Sequence, residues 1–231
     1  EFLYQNMMIE ANVIQSAHEC DVDRILFLGS SCIYPRMAQQ PMRENALLTG
    51  PLEPTNECYA IAKIAGIMLC QSYRKQYGRH YISAQPTNLF GPHDNFHLEH
   101  SHVIPALIQK AHYAKVNNEK SLEVWGSGMP LREFLYVDDL ADALIFIMER
   151  YDDYEHINVG TGIEVSIKEL AQSIAAAVGF TGELTFDSSR PDGAPRKLLD
   201  STKLLEMGWK PKTSLLNGIK LAYQWYLETV T

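Results

Sequence analysis

A tyrosine and a lysine four residues apart, Tyr59 and Lys63, stand in the helical run Thr55-Asn56-Glu57-Cys58-Tyr59-Ala60-Ile61-Ala62-Lys63. Side chains at i and i+4 are stacked neighbours on one helix face, and an ammonium beside a phenol favours the phenolate. Such a charge is what a tyrosine, which titrates near pH ~10 when free, needs to exchange protons at neutral pH. Taken alone, the pair also suits a surface tyrosine and a solvated lysine. The strand-like run Arg24-Ile25-Leu26-Phe27-Leu28-Gly29 ends directly in Ser30-Ser31-Cys32-Ile33-Tyr34-Pro35, which delivers a hydroxyl at a strand's C-terminal edge. Open parallel sheets bind ligands at that edge. Four histidines, His93, His97, His100 and His102, crowd a loop-like stretch. Histidine is the commonest metal ligand, but no HExxH or comparable helix-borne pair occurs, and this spacing argues against a metal-dependent hydrolase.

The elements that must position these groups can be read from periodicity. Glu1 to Glu19 reads as a helix with Phe2, Met7, Ile9, Val13, Ile14 and Ala17 on a broad apolar face. After the strand at 24–29, a polar loop with several prolines ends at Thr55 or Asn56 as a plausible N-cap. The Tyr59 helix runs to about Tyr77, carries small residues (Ala60, Ala62, Ala65, Gly66) and stops at Gly78. A strand over 81–85 follows, and strand, helix, strand implies a parallel sheet. Beyond it come a helix over 103–116, strands at 122–125 and 132–137, and a helix from Asp138 whose Asp138-Asp139 pair suits a positive helix N-terminus. A strand at 156–159 precedes a helix from Ser166 to Val178, where Ser166 and Glu169 echo a capping box. The end of the chain alternates a strand at 183–186, a loop at 191–195 and helices near 201–207 and 214–228.

The 231 residues are 46% hydrophobic and 21% charged, as in soluble globular proteins. A net charge of −8, a pI near 5.5 and no stripe of Lys and Arg argue against nucleic acid as a partner. No apolar run approaches a membrane span. Cys20, Cys32, Cys58 and Cys70 form no CxxC pair, so neither a disulfide framework nor a zinc ribbon is expected, and a reducing cytoplasm fits.

The ordered segments GSSCIYP (29–35), EPTNECYAIAK (53–63), PTNLFGPHDNF (86–96), SHVIPALI (101–108), VWGSG (124–128), REFLYVDD (132–139), INVGTG (157–162) and RPDGAPRKLLD (190–200) resemble the GDP-L-fucose synthase family. That family belongs to the extended branch of the short-chain dehydrogenase/reductase superfamily, and the resemblance covers essentially the whole chain. It implies a cytoplasmic, NADP(H)-dependent enzyme that epimerises a GDP-4-keto-6-deoxy-D-mannose at C3 and C5 and reduces it at C4. The implied fold class is α/β: a doubly wound, Rossmann-like parallel sheet with a smaller C-terminal α/β substrate domain. Residues 1–91 and 133–163 would form a partial NADP-binding domain, and 92–132 and 164–231 the domain for the GDP-sugar. A homodimer through helices 1–19 and 56–77 is implied, with neither nucleic acid nor membrane as partner.

Carried over by position, the resemblance makes Tyr59 the acid for the C4 oxygen, with Lys63 stabilising its phenolate and holding the nicotinamide ribose. Ser30, rather than Ser31, matches the catalytic serine, four residues before Tyr34. Cys32 and His102 match the acid/base pair of epimerisation; alone, Cys32 suits a buried small apolar role and His102 a cap or core position. Cofactor contacts would include Leu28, Gly29, Ser30, Ser31, Lys63, Pro86, Thr87, Asn88, Leu89 and His102. The GDP-sugar would meet Lys110, Trp125, Arg132, Asp192 and Lys197, of which Arg132 best suits a diphosphate clamp. Lys110 stands where many relatives carry arginine. Trp125 alone suits the core, and Asp192 and Lys197 a solvated loop. The family also begins with a strand, a GxxGxxG turn and a helix for the pyrophosphate. No such segment occurs here, so one is expected upstream of Glu1, and the 231 residues alone are expected to bind NADPH weakly. Rivals on the same residues are a nucleoside-diphosphate-sugar 4,6-dehydratase or simple 4-epimerase, which has no use for Cys32 with His102, and a catalytically silent relative of the fold.

Overall fold

The structure is a computed structural model that describes residues 1–97 and 100–229. It divides into two units, Glu1–Thr87, Leu140–Gly162 and Leu199–Lys210 in the first, and Asn88–Asp139, Ile163–Leu198 and Pro211–Thr231 in the second.

In the first unit, β1 (Arg24–Leu28), β2 (His80–Pro86) and β6 (Ile157–Val159) form a parallel sheet in the order β1-β2-β6. The helix between β1 and β2, α2 (Glu57–Tyr77), ends where expected: Gly78 takes φ 69° and its N–H donates to the Arg74 carbonyl. Gly66 lets α2 lie close on the sheet, since a Cβ there would sit 2.2 Å from the Phe27 ring. This approach carries Tyr59 and Lys63 with it. The first helix, α1 (Phe2–Glu19), packs on α2, with Ile14 buried beside Cys70 and Tyr81. Much of the apolar surface of α1 faces outward instead: Phe2, Tyr4, Met7, Met8, Ile9 and Val13 are all exposed.

A fully buried asparagine at the sheet's end organises the rest of this unit. Asn158 on β6 accepts from the Tyr34 hydroxyl at 2.5 Å and donates from its amide to the carbonyls of Met42 and Asp200 at 3.0 and 3.1 Å. Its N–H donates to Glu44 Oε1 at 3.1 Å. Together with the Met42–Leu199 bridge and Trp209 Nε1 on Asp142 at 3.0 Å, these bonds place 199–210, including α6 (Thr202–Glu206), in the first unit rather than with 164–231.

The second unit corrects the other boundary. β3 (Asn88–Phe90), not expected from the sequence, pairs parallel with β5 (Leu131–Tyr136), so 88–91 and 133–139 belong here and not with the first unit. β5 also pairs antiparallel with β7 (Glu164–Ser166) and parallel with β9 (Arg196–Lys197). A separate parallel pair joins β4 (Ser121–Trp125) to β8 (Glu183–Asp187). The core is formed by α3 (Val103–Val116), α5 (Ile167–Val178) and α7 (Leu215–Thr229) around Phe90, Ile108, Phe134, Ile174 and Ile219. The capping box at Ser166 and Glu169 is present in both directions, at 3.1 and 2.8 Å. At the head of α4 (Val137–Arg150), the Asp139 carboxylate takes the N–H groups of Lys212 and Thr213 at 3.2 and 2.8 Å, fixing the approach to α7.

Candidate active site

In the first unit the chemistry gathers at the C-terminal end of β1. Gly29 donates to the Ala84 carbonyl at 2.9 Å, and the chain then turns. Ser30 sits in extended backbone as the N-cap of a short 3-10 turn over Ser31–Ile33, and its hydroxyl oxygen accepts from the Cys32 N–H at 3.2 Å. The Ser30 N–H donates to Gln85 Oε1 at 2.8 Å. Ser31 is buried, whereas Ser30 and Cys32 are half-buried, so the hydroxyl that reaches the strand edge is that of Ser30. Pro86 and Thr87 stand at the neighbouring end of β2, where the Thr87 N–H donates to the Val159 carbonyl at 3.0 Å.

Asn56, expected from sequence as a plausible cap of α2, makes no capping bond with its side chain. Its amide instead donates to Cys32 Sγ at 3.3 Å, which ties the thiol to the residue three before Tyr59. Tyr59 is half-buried beside the Phe2 ring, with centroids 6.3 Å apart. The Lys63 ammonium lies 5.9 Å from the Tyr59 ring centre and 5.0 Å from that of Phe27. Its direct partner is a residue that sequence reasoning passed over, Glu10 of α1, whose Oε1 accepts at 2.9 Å. Leu28, Gly29, Ser30, Ser31, Cys32, Tyr59, Lys63, Pro86 and Thr87 are therefore all in one unit.

His102, Asn88, Leu89, Lys110, Trp125, Arg132, Asp192 and Lys197 all lie in the second. His102 occupies the N-cap position of α3 without a capping bond from its ring, and is exposed. Burial pushes the Asp94 carboxyl up, while the hydrogen bond from the Asn95 N–H and the charge of His102 pull it down. The other histidines are dispersed: His93 packs on Trp225, and His97 on His100. Among the described residues no group of three or more His, Cys, Asp or Glu is arranged to hold a metal ion.

A cavity of about 260 Å³ opens in this unit, lined among others by Asn88, His102, Trp125, Arg132, Phe134 and Asp192. Trp125, at the end of β4, is exposed and not core. The Lys110 ammonium stands 4.4 Å from its ring centre and the guanidinium of Arg190 4.6 Å, so two cations gather on one indole. Burial pushes Lys110 down, and Arg190 adds to this. Arg132 on β5 is pushed down by burial, and its guanidinium donates to the Asp192 carbonyl at 3.4 Å. The Asp192 carboxylate takes both the N–H and the hydroxyl of Ser127, at 2.7 and 2.8 Å, which hold it below the usual carboxylate range. Gly126 is required there, at φ 84°, because a Cβ would lie 2.5 Å from Asp192 Oδ1. Asp192 thus braces the turn that presents Trp125. Lys197 stands on β9 opposite Arg132 in register. Arg190 and Ser127 were not singled out in sequence, although both lie inside the quoted RPDGAPRKLLD and VWGSG segments.

Residues 1–160 match the NAD dependent epimerase/dehydratase family. A probable GDP-L-fucose synthase 1 of Oryza sativa subsp. japonica is 60% identical over 231 residues, which cover 100% of this chain and 70% of that protein. A GDP-L-fucose synthase of Escherichia coli K12 is 58% identical over 99% of this chain and 74% of its own length. The solved structure of a GDP-L-fucose synthetase from Naegleria fowleri bound to NADP superposes with a TM-score of 0.92 at 35% identity, covering 97% of this chain and 72% of that one. Together with the strand-edge serine and the Tyr59/Lys63 helix, these similarities establish that the chain belongs to the NAD dependent epimerase/dehydratase family, within the extended short-chain dehydrogenase/reductase superfamily, and there to the GDP-L-fucose synthases.

Proposed function

We propose that the protein converts GDP-4-keto-6-deoxy-D-mannose to GDP-L-fucose by 3,5-epimerisation and NADPH-dependent 4-reduction. The observation that carries this reading is the Asn56 bond to Cys32, which seats a thiol at the head of the helix that bears Tyr59 and Lys63. A plain 4-reductase needs the hydroxyls and the ammonium but not the thiol.

The residues present fit the nicotinamide end of the cofactor. Ser30, Pro86 and Thr87 stand at adjoining ends of parallel strands, Gln85 Nε2 is buried at the same place without a hydrogen-bond partner among the described residues, and the Lys63 ammonium keeps donors beyond its bond to Glu10. Leu28 to Ser31, Lys63, Pro86 to Leu89 and His102 would hold it, and when bound it supplies the hydride for C4. The chain's own residues handle the protons. The C4 carbonyl acidifies the hydrogens on C3 and C5, and the Ser30 and Tyr59 hydroxyls steady the enolate oxygen. Cys32 and His102 would be the acid/base pair that removes and returns those protons. Tyr59 then gives its proton to the C4 oxygen, with the Lys63 charge favouring the phenolate left behind.

Arg132 clamps the diphosphate, Lys110 and Trp125 line its approach, and Lys197 adds charge from β9. The outward apolar stripe of α1, with Ile61 and Met68 of α2, is the surface through which two copies would pair as a homodimer. No disulfide joins the four cysteines and no described helix is long and apolar enough to cross a membrane, which suits work in the cytoplasm. The test is incubation of a complete version of the chain with GDP-4-keto-6-deoxy-D-mannose and NADPH, with the product identified by NMR. GDP-L-fucose is expected; a reduced sugar that keeps its C3 and C5 configuration would overturn the reading.

A further inference from the structure

The carboxylate of Glu10 is out of place by every general expectation. It projects from α1 into the packing against α2, only 7% exposed, with its second oxygen buried and without a hydrogen-bond partner among the described residues. A buried, half-satisfied carboxylate is costly, and a buried ion pair is often no more stabilising than an apolar pair of similar volume. Stability therefore does not account for it. Its one partner is the Lys63 ammonium, at 2.9 Å. Lysine carries its charge on a flexible four-carbon stem, and a charge that swings cannot stabilise a phenolate consistently.

We infer that Glu10 is a positioning residue for the reduction: its carboxylate pins the Lys63 ammonium over the sheet, so that the charge serving Tyr59 arrives at one place. The inference rests on the proposed roles of Tyr59 and Lys63. One ammonium donor goes to Glu10, leaving two of three for Tyr59 and the cofactor ribose. From β1 the pair is faced by the Phe27 ring, and from α2 by Tyr59 and by Cys70, whose thiol burial pushes up to about 12 with the charge of Glu10 adding to the rise. Glu10 has a second effect of opposite sign, since its negative charge offsets part of the lysine's field at Tyr59. Its removal both frees the ammonium and leaves the phenol next to a less balanced positive charge.

Steady-state 4-reduction is compared for wild type, Glu10→Gln, Glu10→Ala, Glu10→Asp and Tyr59→Phe across pH. Glu10→Gln keeps the shape and loses the charge. It is expected to lower kcat roughly ten- to a hundredfold, a fraction of the ~10²–10⁴ that a placed proton donor contributes, with KM for the keto sugar within about twofold. The alkaline limb of its kcat profile, where the transferable proton is lost, should move to lower pH. Glu10→Asp restores the charge and should return that limb toward wild type. If Glu10→Gln keeps both kcat and the limb while only its melting temperature moves, Glu10 is a structural ion-pair partner and the inference fails. If Tyr59→Phe turns over normally, the functional reading beneath it fails instead.

Discussion

The two units present their candidate residues by different means. In the first, each functional group sits on or beside a regular element: Ser30 and Cys32 at the end of β1, and Tyr59 and Lys63 one turn apart on α2. Sequence distance translates directly into spatial distance there, because strand ends and helix turns have fixed geometry. In the second, Trp125, Arg132 and Asp192 come from a strand end, a strand and a loop, and they are held together where Asp192 accepts two bonds from Ser127 and one from Arg132 and the Gly126 turn leaves room for it. Under the proposed function, the regular elements of the first unit serve proton transfer, and the second unit, where cations gather around one exposed ring, serves recognition of an anionic ligand.

The contrast can be broken most severely at Tyr59. Tyr59→Phe removes one hydroxyl from a helix that still packs, and should cost 4-reduction about 10²–10⁴-fold in kcat with an unchanged circular-dichroism spectrum; near-normal NADPH oxidation would remove Tyr59 from its role. In the loop-built half the expected failure is one of binding. Arg132→Lys keeps a charge and loses the fork, so KM for the GDP-sugar should rise roughly tenfold or more, in line with ~1.5–3 kcal/mol for a charged hydrogen bond, while kcat changes little. A matching fall in kcat would place Arg132 in the chemistry.

Gly66→Ala probes the mount of the rigid half. The added methyl meets the Phe27 ring, so α2 must shift, and denaturant unfolding should show a loss of about 1–3 kcal/mol. Equal stability would mean that the ring yields and that α2 is held less closely than its small residues imply. The remaining effect is confined to acid pH. His156 is buried against the Tyr34 hydroxyl, and burial lowers it to about 4. A histidine lowered on folding leaves the unfolded chain binding more protons between its ordinary value near ~6.5 and that figure. Stability is therefore fully present above ~6.5 and drains away as pH falls toward about 4, by roughly 3 kcal/mol. His156→Gln should flatten that part of the melting-temperature profile, measured as its difference from wild type.

The same contrast explains what could be read from the sequence. The parallel βαβ core, the length of α2, its stop at Gly78 and the Ser166 capping box follow from local rules and stand in the structure where expected. The short strands β3, β7 and β9 were missed because two or three residues carry no period, and their pairing depends on β5. The boundary at 199–210 was misplaced because it hangs on Asn158, a single buried amide. Within the site, Glu10 left a trace, an acid inside an otherwise apolar helix face. Asn56 pointed to the wrong partner, since an asparagine before a helix reads as a cap. For Arg190 and Ser127, only the convergence of loops gives them a place.

The central claim is that the end of β1 and the head of α2 together hold an epimerase thiol and a reductase tyrosine. It is tested by incubating the protein with GDP-4-keto-6-deoxy-D-mannose in deuterated water without NADPH and following C3 and C5 by NMR. Wild type should take up deuterium at both carbons, and Cys32→Ser should lose most of that exchange. If wild type takes up none and yet reduces a 4-keto sugar when NADPH is added, the protein is a reductase alone and the thiol beside Asn56 has no part in its chemistry.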